Sequence, residues 1–396
     1  MSVLKLSDPV QLRDGCHKET EMGNPIKAIL VLLGLSLSGA TEAVAQYASP
    51  SFNPAVLNEN PAAIAWREKS SLVIVQTNES VTEGNPKTAE TKGQTSGALF
   101  GLAGDLEIGV RTGLEILSEN LRNETTYDNG SPDSFQISTL IKTGAAAIGP
   151  FAVGFTDAGE MNVAQTKTYQ NKYSITRQQM DGKSKDEFSG LSLKFGGKDG
   201  TNLFLGAYQL KQTFKLNFTQ KTTSKSDSSW QEGAFNAPEV TQTAHGYAIG
   251  LRTGKNENPR YRIELMSENK PGFLRYVDFS YTKSDGTSGT ESGASFSSPK
   301  MMKNYFCFEA DISSLILSLI TTQTTEYSSG AGESGKLDYG NTTSQENKLM
   351  ILMPLFGQYK LNLYGGTSLS KQVYSNGEYK KYDLGKSYGI GIAYEL

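Results

Sequence analysis

The chain has 396 residues, with 38 Lys and Arg against 41 Asp and Glu, two cysteines and two histidines. A net charge of −3 without a concentrated basic patch excludes nucleic acid as a partner. Mean hydropathy is −0.41, and beyond the N-terminal region no segment is long and apolar enough for a membrane helix, which leaves a soluble β protein or a β-barrel.

The N-terminus reads as an address. Lys27 opens an uncharged run over residues 28–41 whose apolar centre is "AILVLLGLSL", and Ala43, Val44 and Ala45 supply a small-residue cleavage site. This is the three-part pattern of a secretory signal peptide spanning residues 1–45, cut between Ala45 and Gln46. Residues 1–21 are polar and lie upstream of a plausible true start at Met22. A single anchor helix is the rival reading. Removal of the leader takes Cys16 and His17 with it, so the exported chain keeps one cysteine, Cys307, and one histidine, His245.

Residues 46–69 follow, and within them "YASPSFNPAVLNENPAAIAW" holds Asn-Pro-Ala twice, at Asn53, Pro54, Ala55 and at Asn60, Pro61, Ala62. The stretch carries no charge from Gln46 to Asn58, and proline cannot donate to a sheet ladder. Such a segment is expected to fold back into a barrel lumen as a hatch. Two ordinary turns are the simpler alternative, since Asn-Pro commonly starts a turn.

From residue 70 onward the periodicity is two. "EFSGLSLKFGG" alternates Leu191, Leu193 and Phe195 with Ser192 and Lys194, and "KQTFKLNFTQKT" alternates Phe214, Leu216 and Phe218 with Lys215 and Asn217. "GYAIGLRTG" and the terminal "KSYGIGIAYEL" repeat the pattern, the latter with Tyr388, Ile390, Ile392, Tyr394 and Leu396 on one face. This predicts an all-β transmembrane antiparallel barrel of about 14 strands over residues 70–396; a soluble sandwich shares the alternation. Strands are expected near 70–79, 94–103, 104–127, 134–158, 161–178, 186–197, 202–223, 242–254, 260–283, 303–312, 315–328, 346–356, 359–373 and 386–396. Residues 113–122 can also be written as an amphipathic helix. Long polar stretches at 222–242, 283–300 and 328–347 read as external loops, against short turns on the other side, a rhythm typical of outer-membrane barrels. Gly149-Pro150 and Pro271-Gly272 interrupt two overlong strands, as kinks or as turns. A kink would open a lateral gap, because unpaired wall backbone must find water or ligand.

With "NPAAIAW" at Asn60–Trp66 placed just before "SSLVIV", the chain resembles the FadL-type family of long-chain fatty-acid and hydrocarbon transporters. Barrels of that family carry an N-terminal hatch with an Asn-Pro-Ala motif ahead of strand one. The resemblance implies passage of hydrophobic small molecules through the outer membrane of a Gram-negative bacterium. Implied partners are outer-membrane lipids and lipopolysaccharide, the barrel-assembly machinery and a hydrophobic ligand. A porin-like or structural barrel, or a scaffold of an envelope or secretion complex, is the alternative. No enzymatic activity, cofactor or metal is expected. His245 sits on the parity of Tyr247 and Ile249, which places it on the outer face, and Glu124, Asp128, Glu187 and Glu264 are scattered.

Overall fold

The computed structural model describes residues 60–396 apart from 84–88, 107, 128–131, 171, 198, 299, 328–340 and 374–378. The leader, the cleavage point at Ala45 and Gln46, and the first motif copy at Asn53, Pro54 and Ala55 lie outside the described residues.

A short 3-10 helix, Pro61–Trp66, precedes the sheet. The first strands are β1 (Ser71–Glu83), β2 (Ala89–Asp105), β3 (Val110–Tyr127), β4 (Pro132–Ile148) and β5 (Phe151–Gln170). Next come β6 (Ser174–Phe195), β7 (Asn202–Ser224), β8 (Trp230–Arg252), β9 (Arg260–Lys270), β10 (Phe273–Lys283) and β11 (Ser288–Ser298). The wall ends with β12 (Lys300–Ile312), β13 (Leu315–Tyr327), β14 (Thr342–Phe356), β15 (Tyr359–Val373) and β16 (Tyr379–Glu395).

Strands β1 to β8 pair in sequence, β8 meets β9, β9 meets β12, and β12 leads through β13, β14 and β15 to β16. β16 returns to β1 from Ser71↔Glu395 to Glu83↔Asp383 and closes the ring. β10 and β11 continue β9 and β12 upward, since Lys270↔Met301 and Phe273↔Ser298 share one register. Taking each continuation with its parent gives a closed antiparallel barrel of 14 strands, as the alternation predicts.

Burial separates the two faces. Leu72, Ile74, Phe151, Val153, Phe155, Leu191, Tyr247, Ile249, Tyr388, Ile390 and Ile392 are exposed on the outside. The opposite parity faces the lumen, and many of its buried residues are polar, Glu115, Ser192, Gln212, Arg262 and Glu309 among them. An apolar belt outside and a polar interior is the surface pattern of a membrane-spanning barrel.

Several expectations need correction. Gly149 and Pro150 are a tight turn between β4 and β5, with Ile148 paired to Phe151. Gly149 takes φ +57°, where a Cβ would be strained, so the chain reverses there and does not kink. The residues expected as long loops at 222–242 and 283–300 are mostly strand, with β7 running to Ser224 and β10 to Lys283 before short turns. Their Ser/Thr-rich edges pair through hydroxyls, as in Thr176 with Thr222 at 3.1 Å and Thr282 with Ser288 at 3.1 Å. Polar alternation thus builds sheet above the bilayer; β7 and β8, at 23 residues each, are about twice the ~9–11 that a spanning strand requires. Residues 113–122 are strand within β3, not helix. Pro271 and Gly272 do break the wall, between β9 and β10.

Candidate functional site

The 3-10 helix lies inside the barrel at the end where β1 begins, and Pro61 to Trp66 are all buried. Asn60 caps it: its Oδ1 accepts from the Ala62 amide at 3.1 Å, and its Nδ2 donates to the Leu191 carbonyl at 2.8 Å. Pro61 at the helix start needs no amide partner and presets φ. One side chain therefore both starts the helix and ties it to β6. Trp66 donates from Nε1 to Ser192 Oγ at 3.2 Å.

Room for the helix comes from small residues on the lumenal face. Ala147, Ala152 and Phe204 pack with Ala62, Ala65 and Trp66. A Cβ on Gly113 would run into the Ile64 carbonyl, one on Gly154 into Pro61, and one on Gly190 into Asn60 Oδ1. Four adjacent strands are thinned where the helix docks.

Charge fastens the segment that leaves the helix. Arg67 pairs with Glu115 of β3, and Lys69 with Glu395 of β16 at 2.8 Å. Glu68 lies 3.1 Å from both Arg252 of β8 and Arg260 of β9. Burial alone would raise the Glu68 carboxyl, but the two guanidiniums outweigh it and hold it below its ordinary range. The plug is thus tied to opposite sides of the ring.

Above the plug, the wall opens. β8 pairs with β9 from Arg252↔Arg262 up to His245↔Asn269, and with β10 only from Ala234↔Ser280 upward. Between those rungs, residues 235–244 and 270–279 face each other without ladder bonds. Pro271 supplies no donor there, and its carbonyl accepts from the Gln242 side chain instead. Behind the gap lies the largest apolar cluster among the described residues, with Phe214, Leu216, Phe218, Phe235, Val277 and Phe279 at its centre. Phe218 stacks on Phe235 at 5.1 Å between ring centroids, and Phe273 meets Phe214 at 6.2 Å. The gap begins above the His245↔Asn269 rung, one outward position above Tyr247 and two above Leu265. An apolar molecule crossing there would pass from the outer face of the wall to an apolar chamber.

His245 is exposed beside Tyr247 on the outer face, at the lower corner of this gap. Glu124 pairs with Arg122, Glu187 with Lys185 and Lys211, and Glu264 is buried against Arg262; Asp128 lies outside the described residues. The structure does not bring Glu124, Glu187 and Glu264 together. Sequence reasoning missed the glycine and alanine cradle, the ion pairs of Arg67 to Lys69, and the apolar chamber. A signal existed for the first: small residues recur on one parity through "TGAAAIGPFAVG".

No protein-family model matches the sequence, and no curated protein matches it. Solved structures do. A protein described as the CymD monoaromatic hydrocarbon channel superposes with TM-score 0.58 at 8% identity, covering 85% of this chain and 91% of its own. The Ralstonia pickettii toluene transporter TbuX gives 0.54 at 9% identity, covering 90% and 97%. A Pseudomonas aeruginosa FadL homologue gives 0.51 at 9% identity, covering 89% and 96%. Over most of its length this chain has the fold of the FadL-type channels.

Proposed function

We propose that the protein is an outer-membrane channel that passes hydrophobic small molecules, long-chain fatty acids or hydrocarbons among them, and carries out no catalysis. The observation that carries this reading is the coincidence of an unladdered stretch of wall, at 235–244 and 270–279, with the apolar cluster directly behind it. A molecule that prefers lipid to water gains nothing from an aqueous pore, whereas an apolar chamber opening through the wall offers burial at about 25 cal/mol per Å². The plug below the chamber fits the same purpose, since it obstructs an open path for ions. The names of the structural neighbours, a hydrocarbon channel and a toluene transporter, agree in chemistry.

A porin-like reading asks for charges that line water. The lower lumen is charged, but Arg262, Glu264 and Glu309 are paired and almost fully buried, which describes a filled interior. The test is uptake of a labelled long-chain fatty acid and of toluene by cells that express the protein. Saturable uptake of either, with no increase in permeability to small hydrophilic solutes, supports the channel. Hydrophilic permeability without saturable apolar uptake would overturn it.

A further inference from the structure

The outer face of β3 to β7 changes character directly above the apolar belt. Climbing β6, the outward residues run Leu193, Leu191, Ser189, Glu187, Lys185, Lys183 and Asp181; climbing β7 they run Leu205, Ala207, Gln209, Lys211, Thr213, Lys215 and Asn217. Grease gives way to cations within two or three rungs. Above that line the wall is concave, and the hollow has a volume of about 660 Å³. Arg122, Lys183 and Lys215 line it, with the amides of Asn120, Asn162 and Asn217 around them.

The register sets Lys183 directly opposite Lys215, and both side chains are exposed on the same outer face. Like charges directly opposite one another destabilise a sheet. Their surroundings neutralise them only in part. Glu187 is taken by Lys185 and Lys211, and Glu124 by Arg122. Asp181, the acid lining the hollow, accepts from the neutral Gln179 amide at 3.0 Å and keeps its charge, which offsets the two ammonium groups only in part. Among the described residues neither Lys183 nor Lys215 forms an ion pair.

We infer that this hollow binds the phosphorylated headgroup of a glycolipid in the outer leaflet, with Lys183 and Lys215 flanking one phosphate. Three features select that occupant. The paired ammonium groups act as point charges for a phosphate. The surrounding amides offer donors and acceptors to sugar hydroxyls. The exposed belt below, with Leu140, Phe155, Leu191 and Leu205, lies where the acyl chains of a membrane-bound ligand would run, and a soluble anion would make no use of it. The inference rests on the membrane placement proposed above but not on what the channel carries.

The experiment compares the full-length protein with the double variant Lys183→Ser/Lys215→Ser. Both are taken from membranes in mild detergent, examined by native mass spectrometry for bound glycolipid, then delipidated for thermal melts. The parent should retain phosphorylated glycolipid, and the variant should need roughly tenfold more for equal occupancy, the equivalent of about 1.4 kcal/mol. Added diphosphorylated disaccharide glycolipid should raise the parent's melting temperature, and its dephosphorylated form and inorganic phosphate should not. The lipid-free variant should melt no lower than the lipid-free parent, because the Lys–Lys repulsion has gone. Equal retention by both proteins would overturn the inference, as would a response of the parent to inorganic phosphate alone, which marks an adventitious ion only. If the parent itself fails to fractionate with membranes, the channel reading falls as well.

Discussion

Gly154 faces Pro61 across a distance that leaves no space for a side chain. Gly154→Val on the lumenal face of β5 should therefore push the plug from its seat while leaving the strand, which favours β-branched residues, intact. Overpacking of this kind costs about 1–3 kcal/mol, and here the helix, which joins no ladder, yields before the hydrogen-bonded wall does. The expected result is a barrel that stays heat-modifiable on gels but conducts more in planar bilayers; unchanged conductance would show that the helix does not obstruct the lumen. Glu68 gives a second residue-scale test. Its folded pKa lies below the unfolded one, so its contribution is complete above about pH 4.3, the ordinary glutamate value, and is lost as pH falls through the folded value. Acidification through that lowered folded value should raise conductance. Glu68→Gln should show that higher conductance already at neutral pH, because Arg252, buried beside it, loses its counter-charge, at a cost of about 3 kcal/mol. A variant whose pH profile matches the parent would remove Glu68 as the latch.

At the scale of the element, the notable feature of the wall gap is that it preserves register. His245↔Asn269 below and Ala234↔Ser280 above are separated by the same number of residues on each strand. No slip would be needed to join them. Both edges of the gap are irregular: Pro271 lacks a donor and Gly272 is poor in β propensity on one, and on the other Pro238 lacks a donor where β8 shifts register against β7 between Ala237 and Val240. Pro271→Val and Gly272→Thr combined with Pro238→Thr should let β8 zip onto β9 and β10, each new ladder bond adding roughly 0.5–1.5 kcal/mol. Uptake of the apolar substrate should at least halve, while ion conductance stays low because the plug is untouched. Full uptake with a raised melting temperature would mean that substrate takes another path. This break was legible in the sequence because proline is a statement about the backbone itself. The turn at Gly149 and Pro150 was harder to distinguish from it: both pairs interrupt apolar alternation, and only the pairing of Ile148 with Phe151 decides. The tall strands beyond the membrane were misread as loops because Ser/Thr alternation without an apolar face looks like loop composition. The chamber at Phe214, Phe235 and Phe279 was not legible at all, since it is assembled from β7, β8 and β10 by a closure that no local pattern encodes.

For the whole molecule, closure and obstruction are separable properties. The ring is completed by β1 and β16, paired from Ser71↔Glu395 to Glu83↔Asp383, and no rung of any ladder uses the 3-10 helix. The plug touches mainly β3 to β6 and is held by a cap, an indole hydrogen bond and ion pairs. Deleting Gln46–Trp66 should therefore leave a barrel that folds and inserts, judged by heat-modifiability and protease resistance in the membrane fraction. Its lumen should lose the barrier at the end where β1 begins, so its ion conductance in planar bilayers should exceed the parent's several-fold. Saturable uptake of apolar substrate should disappear, because solutes then leak through without occupying the chamber behind the wall gap. Failure to insert would show that the helix is part of the folding unit, with the small-residue cradle acting as a core and not as a seat. Insertion with the parent's low conductance would show that the charged lower lumen around Arg262, Glu264 and Glu309 is itself the barrier. In that event the Asn60 to Trp66 segment braces the wall, and the structural-barrel reading takes precedence over the plugged channel.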